Sequence, residues 1–105
     1  MRKIISILAI AVAMTACNRT NPFLTEWDTP YGIPPFNEIK ASDYIPAIKA
    51  GIEQQNAEIE AIVSNPDTPT FENTIVPLEL SGSILDKVAG VFYNITETDR
   101  NEALA

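Results

Sequence analysis

The sequence predicts an all-α fold: an extended, proline- and aromatic-rich arm followed by antiparallel helices. Three observations carry this. Apolar residues recur at helical spacing from Ser42 to Ser64, and a second such set runs from Phe71 to Ile95. Between them, Asn65-Pro66-Asp67-Thr68-Pro69 combines two prolines with turn-forming residues, which stops the first helix before the second begins.

The elements follow in chain order. Residues 1–16 have the layout of a secretory signal: Arg2 and Lys3 form a positive start, Ile4 to Met14 is apolar apart from Ser6, and small residues follow at Thr15 and Ala16. A helix over that apolar run covers only about 16 Å, roughly half of a hydrocarbon core of about 30 Å, so a permanent span is not expected. A buried helix of the mature chain is the competing reading. Met14-Thr15-Ala16-Cys17 resembles the lipobox of bacterial lipoproteins, in which the cysteine thiol is acylated and becomes the new N-terminus. The chemistry needs a nucleophilic thiol and small neighbours that leave the backbone open to the peptidase. Cys17 is therefore the candidate lipidation site, and residues 17–20 are read as lipidated cysteine and tether. The expected location is exported and membrane-anchored, on the periplasmic or cell-surface side. Anchoring would rest on acyl chains, each buried methylene contributing about 0.8 kcal/mol. Charge would not help, because loss of Arg2 and Lys3 leaves five basic residues against all 14 acidic ones.

Residues 21–105 are read as one helical region. Its first part, Asn21 to Ile39, holds Pro22, Pro30, Pro34 and Pro35, a density that blocks regular helix. Phe23, Leu24, Trp27, Tyr31, Ile33, Phe36 and Ile39 are too apolar for a solvated linker, so the arm is expected to lie on the helices and bury its aromatics. In the first helix, Ile45, Ile48, Ile52, Ile59, Ile62 and Val63 form the expected buried face, with Glu53, Gln54, Gln55, Glu58 and Glu60 mostly opposite. Ser42 or Asp43 is the expected cap, which puts Pro46 in the first turn, where a missing N–H costs least.

Thr70 is the expected cap of the second helix, with Glu72 in its first turn. One apolar stripe runs through 71, 75, 78, 85, 88, 92 and 95, and another through 80, 84 and 91. So wide an arc predicts burial from two sides. Pro77 is expected to kink or split this helix near Val76, with Gly82 and Gly90 weakening it further. Asp99 with Glu102 resembles a capping box opening a third helix. Two helices and an arm leave one of those two sides uncovered, so the sequence reads as the start of something larger.

Composition excludes several function classes. A net charge of −7 argues against a nucleic-acid partner, which needs a basic footprint. One cysteine forms no internal disulfide. With no histidine there is no imidazole base, no Ser-His or Cys-His pair and no histidine-ligated zinc. The pairs Glu58/Glu60 and Glu72/Glu79 lack i,i+3 or i,i+4 spacing and read as solvated faces. Ser81-Gly82-Ser83 is not a nucleophile elbow. Asn18-Arg19-Thr20 and Asn94-Ile95-Thr96 match the short N-x-[ST] pattern, which is frequent by chance. No catalytic or metal-ligating residue is singled out, and none for substrate binding.

From Asn21 onwards the chain resembles a known family. Asn21-Pro22-Phe23-Leu24, the run from Pro30 to Phe36 with Ile39-Lys40, and Tyr44-Ile45-Pro46-Ala47 are similar to the N-terminal region of the thimet oligopeptidase group of zinc oligopeptidases. Asn65-Pro66, the run Pro69-Thr70-Phe71-Glu72-Asn73-Thr74-Ile75, Leu85 to Val88 and Val91 to Ile95 continue the likeness in order. The branch it most resembles is bacterial peptidyl-dipeptidase and oligopeptidase A. The resemblance implies the N-terminal part of a larger helical, zincin-type metallopeptidase that hydrolyses short peptides in a deep channel and releases C-terminal dipeptides. Zinc there is held by the two histidines of an H-E-x-x-H helix and a glutamate further on, and the motif glutamate is the general base acting on zinc-bound water. None of those ligands can be placed on this sequence, so the chain alone is expected to be inactive and to hold no cofactor, with zinc expected for a full-length enzyme. The alternative is a complete small helical lipoprotein acting as a binding or scaffold module.

Overall fold

The computed structural model describes residues 19–105. The signal segment and Cys17 lie outside the described residues. The first long helix, α1 (Ala41–Val63), starts one residue before the expected caps. Asp43 sits at its third position, where its Oδ2 accepts the Lys40 N–H at 2.7 Å, while the Asp43 N–H donates to the Lys40 carbonyl at 2.9 Å. The carboxylate thus secures the turn from inside the helix rather than as its cap. Pro46 consequently lies past the first turn, and having no N–H it leaves the Ser42 carbonyl without its helical donor. At the other end the Ser64 N–H and hydroxyl both donate to the Glu60 carbonyl, and the Asn65 side chain accepts the Asp67 N–H before Pro69. The stop falls where the proline cluster predicts it.

The expected second helix is divided. A π turn (Phe71–Ile75) opens on a reciprocal capping box: Thr70 Oγ1 accepts the Asn73 N–H at 3.1 Å, and Asn73 Oδ1 accepts the Thr70 N–H at 2.7 Å. It runs into α2 (Val76–Leu80), so the helix changes type at Val76, where the sequence predicts a kink or split, without being divided there. The chain does not reverse there: Ile75 and Val76 keep right-handed helical geometry, and Pro77, lacking an N–H, leaves a carbonyl of the preceding turn without its helical donor. The interruption falls instead at Ser81-Gly82. Gly82 adopts φ 77°, ψ 28°, a left-handed conformation that any side chain would strain, and α3 (Ser83–Thr98) begins beyond it.

α1 and α3 run antiparallel. Tyr44 meets Phe92 at one end, Gly51 faces Leu85 in the middle, and Glu58 bonds to Gly82 at the other. The described residues are helices, turns and irregular segments with no strand, an all-α arrangement. The core is small: Phe23, Tyr44, Ala47, Val88 and Val91 are buried, with Trp27, Ile39, Ile84, Phe92, Ile95 and Leu104 packed around them. Ile84, Val88, Val91 and Ile95, spaced by four, three and four, form the inward face of α3.

The isoleucine face of α1 is not what the hairpin buries. Tyr44, Ala47 and Gly51 point inward, whereas Ile45 is 66 % exposed, Ile52 47 % and Val63 75 %. The reason is interaxial distance. A Cβ placed on Gly51 would lie 2.8 Å from Leu85 Cγ and Cδ2, so α3 approaches only where α1 carries its smallest side chains. Phe71, Ile75, Leu78 and Leu80 are exposed as well, so the expected stripe is buried only along α3.

The arm is also only partly buried. Asn21 Oδ1 caps a 3₁₀ turn (Pro22–Leu24) by accepting the Phe23 N–H, and Phe23 is fully buried 5.4 Å from the Tyr44 ring. Trp27 folds back, its indole N–H donating to the Pro22 carbonyl at 3.0 Å and Lys87 Nζ lying 5.0 Å from its ring centroid. Beyond it, Tyr31, Ile33 and Phe36 are exposed. The second 3₁₀ turn (Pro30–Gly32) lifts the chain off the helices, with Tyr31 in the left-handed region at φ 59°. That conformation costs a non-glycine residue about 1 kcal/mol, and asparagine tolerates it better. Because the Tyr31 side chain is wholly exposed, Tyr31→Asn is expected to raise stability by about 0.5–1 kcal/mol in urea unfolding; a destabilised variant would contradict the turn geometry.

The Asp99–Glu102 capping box does not form. The Asp99 N–H still bonds to Ile95 as the residue closing α3, and Asn101 caps a 3₁₀ turn (Glu102–Leu104) by accepting the Ala103 N–H. Asp99 is occupied in ending one helix and cannot start the next.

Candidate functional site

Two features on the described residues go beyond core packing: a clamp on the N-terminal segment and an open apolar groove. The clamp is built on Asp43. Arg19 approaches its carboxylate with both terminal nitrogens, Nη1 to Oδ1 at 2.6 Å and Nη2 to Oδ2 at 3.0 Å, and Nη2 also donates to the Glu38 carbonyl. Asn21 Nδ2 adds a bond to the Asp43 carbonyl at 2.9 Å. The paired geometry is the strong form of an arginine–carboxylate contact. Arg19 holds the Asp43 carboxyl below the usual carboxylate range, with the Lys40 N–H acting the same way and burial opposing both. The same bond raises Arg19 further above its usual value. Burial, with the Asp43 charge adding, pushes the Tyr44 phenol up.

The sign of the pH effect follows. A carboxyl whose folded pKa is depressed contributes stability above its unfolded value of about 3.9, and that contribution is lost as pH falls through the folded value. Asp43→Asn is therefore expected to lower Tm by several degrees at pH 7 and by less at an acid pH below the unfolded value, in melts followed by circular dichroism. An equal loss at both pH values would count against the clamp.

The groove lies between α1 and α3. Tyr44, Ile45, Ile48, Phe92 and Leu104 line a cavity of about 310 Å³ whose lining carries no charged side chain. At the far end of the hairpin, Glu58, Ala61, Ile62, Pro77 and Leu80 line a second cavity of about 470 Å³.

Beside that second cavity two polar side chains of α1 do structural work. Gly82 has no side chain to cap α3, so the orphan N–H groups are met from across the hairpin: Glu58 Oε2 accepts the Gly82 N–H at 2.9 Å, and Gln54 Oε1 accepts the Ile84 N–H at 3.2 Å. Both residues read as solvated in the sequence. The signal that points to them is a glycine where α3 needs a cap. Ser81 bonds to the Leu78 carbonyl, and Thr96 to the Tyr93 carbonyl.

Cys17, the one residue assigned chemistry from the sequence, lies outside the described residues. Among the described residues no three acidic or thiol side chains gather as a metal would require, and no helix is long and apolar enough to cross a membrane.

With the geometry in place, comparison with known proteins gives one kind of match. The chain is 44 % identical over 85 residues to a dipeptidyl carboxypeptidase of Salmonella typhimurium, and 44 % identical over 84 residues to a dipeptidyl carboxypeptidase of Escherichia coli K12. These matches cover 81 % and 80 % of this chain but only 12 % of each relative's length. No family model matches.

Proposed function

We propose that this chain is the N-terminal portion of an exported, lipid-anchored peptidase of the dipeptidyl carboxypeptidase kind, which removes dipeptides from the C-terminus of short peptides with a zinc ion. The observation that supports the peptidase part of this reading is the 44 % identity sustained over 85 residues, and the exported, lipid-anchored part rests on the Met14–Cys17 pattern. The resemblance to the zinc oligopeptidases at Pro30–Phe36 and Pro69–Ile75 supports it, and those runs fold here as the second arm turn and the capped π turn.

The residues of this chain do not fit the zinc ion. There is no histidine, and among the described residues no cluster of three carboxylate or thiol donors forms. The metal and the hydrolytic step are accordingly assigned to sequence beyond this chain, and the part played here is structural: a hairpin, pinned by its arm, that helps to build the wall of a peptide-binding body. Purified residues 17–105 are expected to leave a quenched dipeptidyl substrate intact, and chelator-sensitive cleavage by them would overturn that assignment. Sequencing the gene past codon 105 tests the larger reading: a continuing frame with H-E-x-x-H supports it, and an immediate stop favours a small lipoprotein that acts as a binding module.

The anchor is tested separately. Radiolabelled palmitate is expected to enter the wild-type chain in a bacterial host and not Cys17→Ser, which should accumulate as the unprocessed precursor. Failure of the wild type to take up label would end the lipoprotein reading and leave the peptidase reading standing.

A further inference from the structure

We infer that the groove formed by Ile45, Ile48 and Phe92 is the seat of an apolar helix face from the larger remainder of the same peptidase polypeptide; this rests on the reading proposed above. The two flanks of the α1–α3 hairpin are treated differently. One is closed by the chain itself, with Phe23 inserted beside Tyr44 and Trp27 laid against Lys87. On the other, among the described residues, the Glu102–Leu104 turn reaches the core through Leu104, and the isoleucine ridge beside it is left open. Along it Ile45, Ile48 and Ile52, spaced by three and four, are 66 %, 39 % and 47 % exposed. A row of three half-exposed isoleucines on one helix face, continuous with an apolar cavity, is more than the scattered exposed residue found on ordinary surfaces.

The occupant is indicated by what the groove lacks and by what the relatives have. No charged side chain lines it, so nothing there recognises a phosphate, a lipid headgroup or the charged end of a peptide. The i, i+3, i+7 spacing of Ile45, Ile48 and Ile52 matches the ridge that a second helix interdigitates with. Most of the length of each matched relative lies outside the matched segment, and that remainder has to be continued on some face of this piece. Among the described residues, the arm does not cover this apolar flank.

The test uses the protein expressed from its own gene in its own host, with p-benzoylphenylalanine replacing Ile48 and, as a control, replacing the exposed Glu60 of the polar side. After irradiation, cross-linked peptides are sequenced and the intact mass is measured. Position 48 is expected to link to residues of the same polypeptide beyond position 105, with yield at least tenfold above position 60. Links confined to residues 19–105, links to a second copy, to lipid or to an unrelated protein, or no link at all each overturn the docking while leaving the peptidase reading intact. A polypeptide in the cell with no sequence beyond position 105 overturns the peptidase reading, and the docking with it. Because position 48 is already solvent-facing, the substitution leaves the hairpin core untouched. Ile52 replaced in the same way gives a second, independent position on the ridge.

Discussion

Phe23→Ala is expected to remove about 3–5 kcal/mol of stability, the range for deleting a buried aromatic ring. Phe23 has no exposed surface, and it is the arm's member of the buried core cluster, with Trp27 and Ile39 packed against that cluster. Its ring stands 5.4 Å from Tyr44, which in turn stands 5.4 Å from Phe92 in an edge-on arrangement. Truncation therefore empties a site at the end of an aromatic chain as well as losing transferred area. Folded domains hold only about 5–15 kcal/mol in total, so the arm should detach or the hairpin should unfold with it. Trp27 is the only tryptophan and lies against Lys87, so its fluorescence reports the arm, while far-ultraviolet circular dichroism reports the helices. In urea the wild type should show the two signals changing together. The variant should show the Trp27 signal lost at lower denaturant, with Phe23→Leu intermediate. A midpoint within error of wild type would mean that the arm does not pack as described.

The contrast between Phe23 and the rest of the arm shows where the sequence is legible and where it is not. Apolar content marks Phe23, Tyr31 and Phe36 equally, yet one is fully buried and two are exposed. What separates them is a backbone turn at Tyr31-Gly32 with two consecutive positive φ angles, and tyrosine gives no warning of one. The helix limits set by local chemistry were readable at two places, the Thr70 cap and the Asn65–Pro69 stop, which are encoded within a few residues. The Asp99–Glu102 box was misread because Asp99 closes α3. The buried face of α1 was not, because it depends on a partner. Periodicity places the isoleucines on one face of the helix but wrongly makes that face the one buried against α3. The α1–α3 contact is decided by Ala47 and Gly51, which hydrophobicity scales hardly register. Gln54 and Glu58 were hidden for the same reason, since their role exists only once Gly82 is folded opposite them. Of the candidate sites, the clamp is beyond sequence reasoning because Arg19 and Asp43 are 24 positions apart. Cys17 lies outside the described residues, and its reading rests on the local Met14–Cys17 pattern alone.

Gly51→Ala isolates that close contact and gives a result that changes sign with its surroundings. In an isolated helix the substitution stabilises by roughly 1 kcal/mol, because alanine restricts the unfolded chain and favours helix. Here the new methyl would meet Leu85 Cγ and Cδ2 at 2.8 Å and the Leu85 backbone nitrogen at 3.2 Å. Cγ is bonded to Cβ and does not move when the tip turns about χ2, so rotation of the side chain tip alone does not clear it, and α3 must move outward or Leu85 change its χ1 rotamer. Overpacking of that kind costs about 1–3 kcal/mol and outweighs the helical gain, for a net loss of roughly 1 kcal/mol or more. Gly51→Leu should be far worse, separating the helices and drawing Gln54 and Glu58 away from the α3 N-terminus. Leu85→Ala removes the two atoms that collide. In that background Gly51→Ala is expected to become stabilising, by up to about 1 kcal/mol from helix propensity alone. Four proteins in one urea series therefore measure the contact as a coupling free energy, and the two single-site losses must fail to add. Strict additivity would show that α1 and α3 do not meet at Gly51, and the antiparallel hairpin as described here would have to be given up.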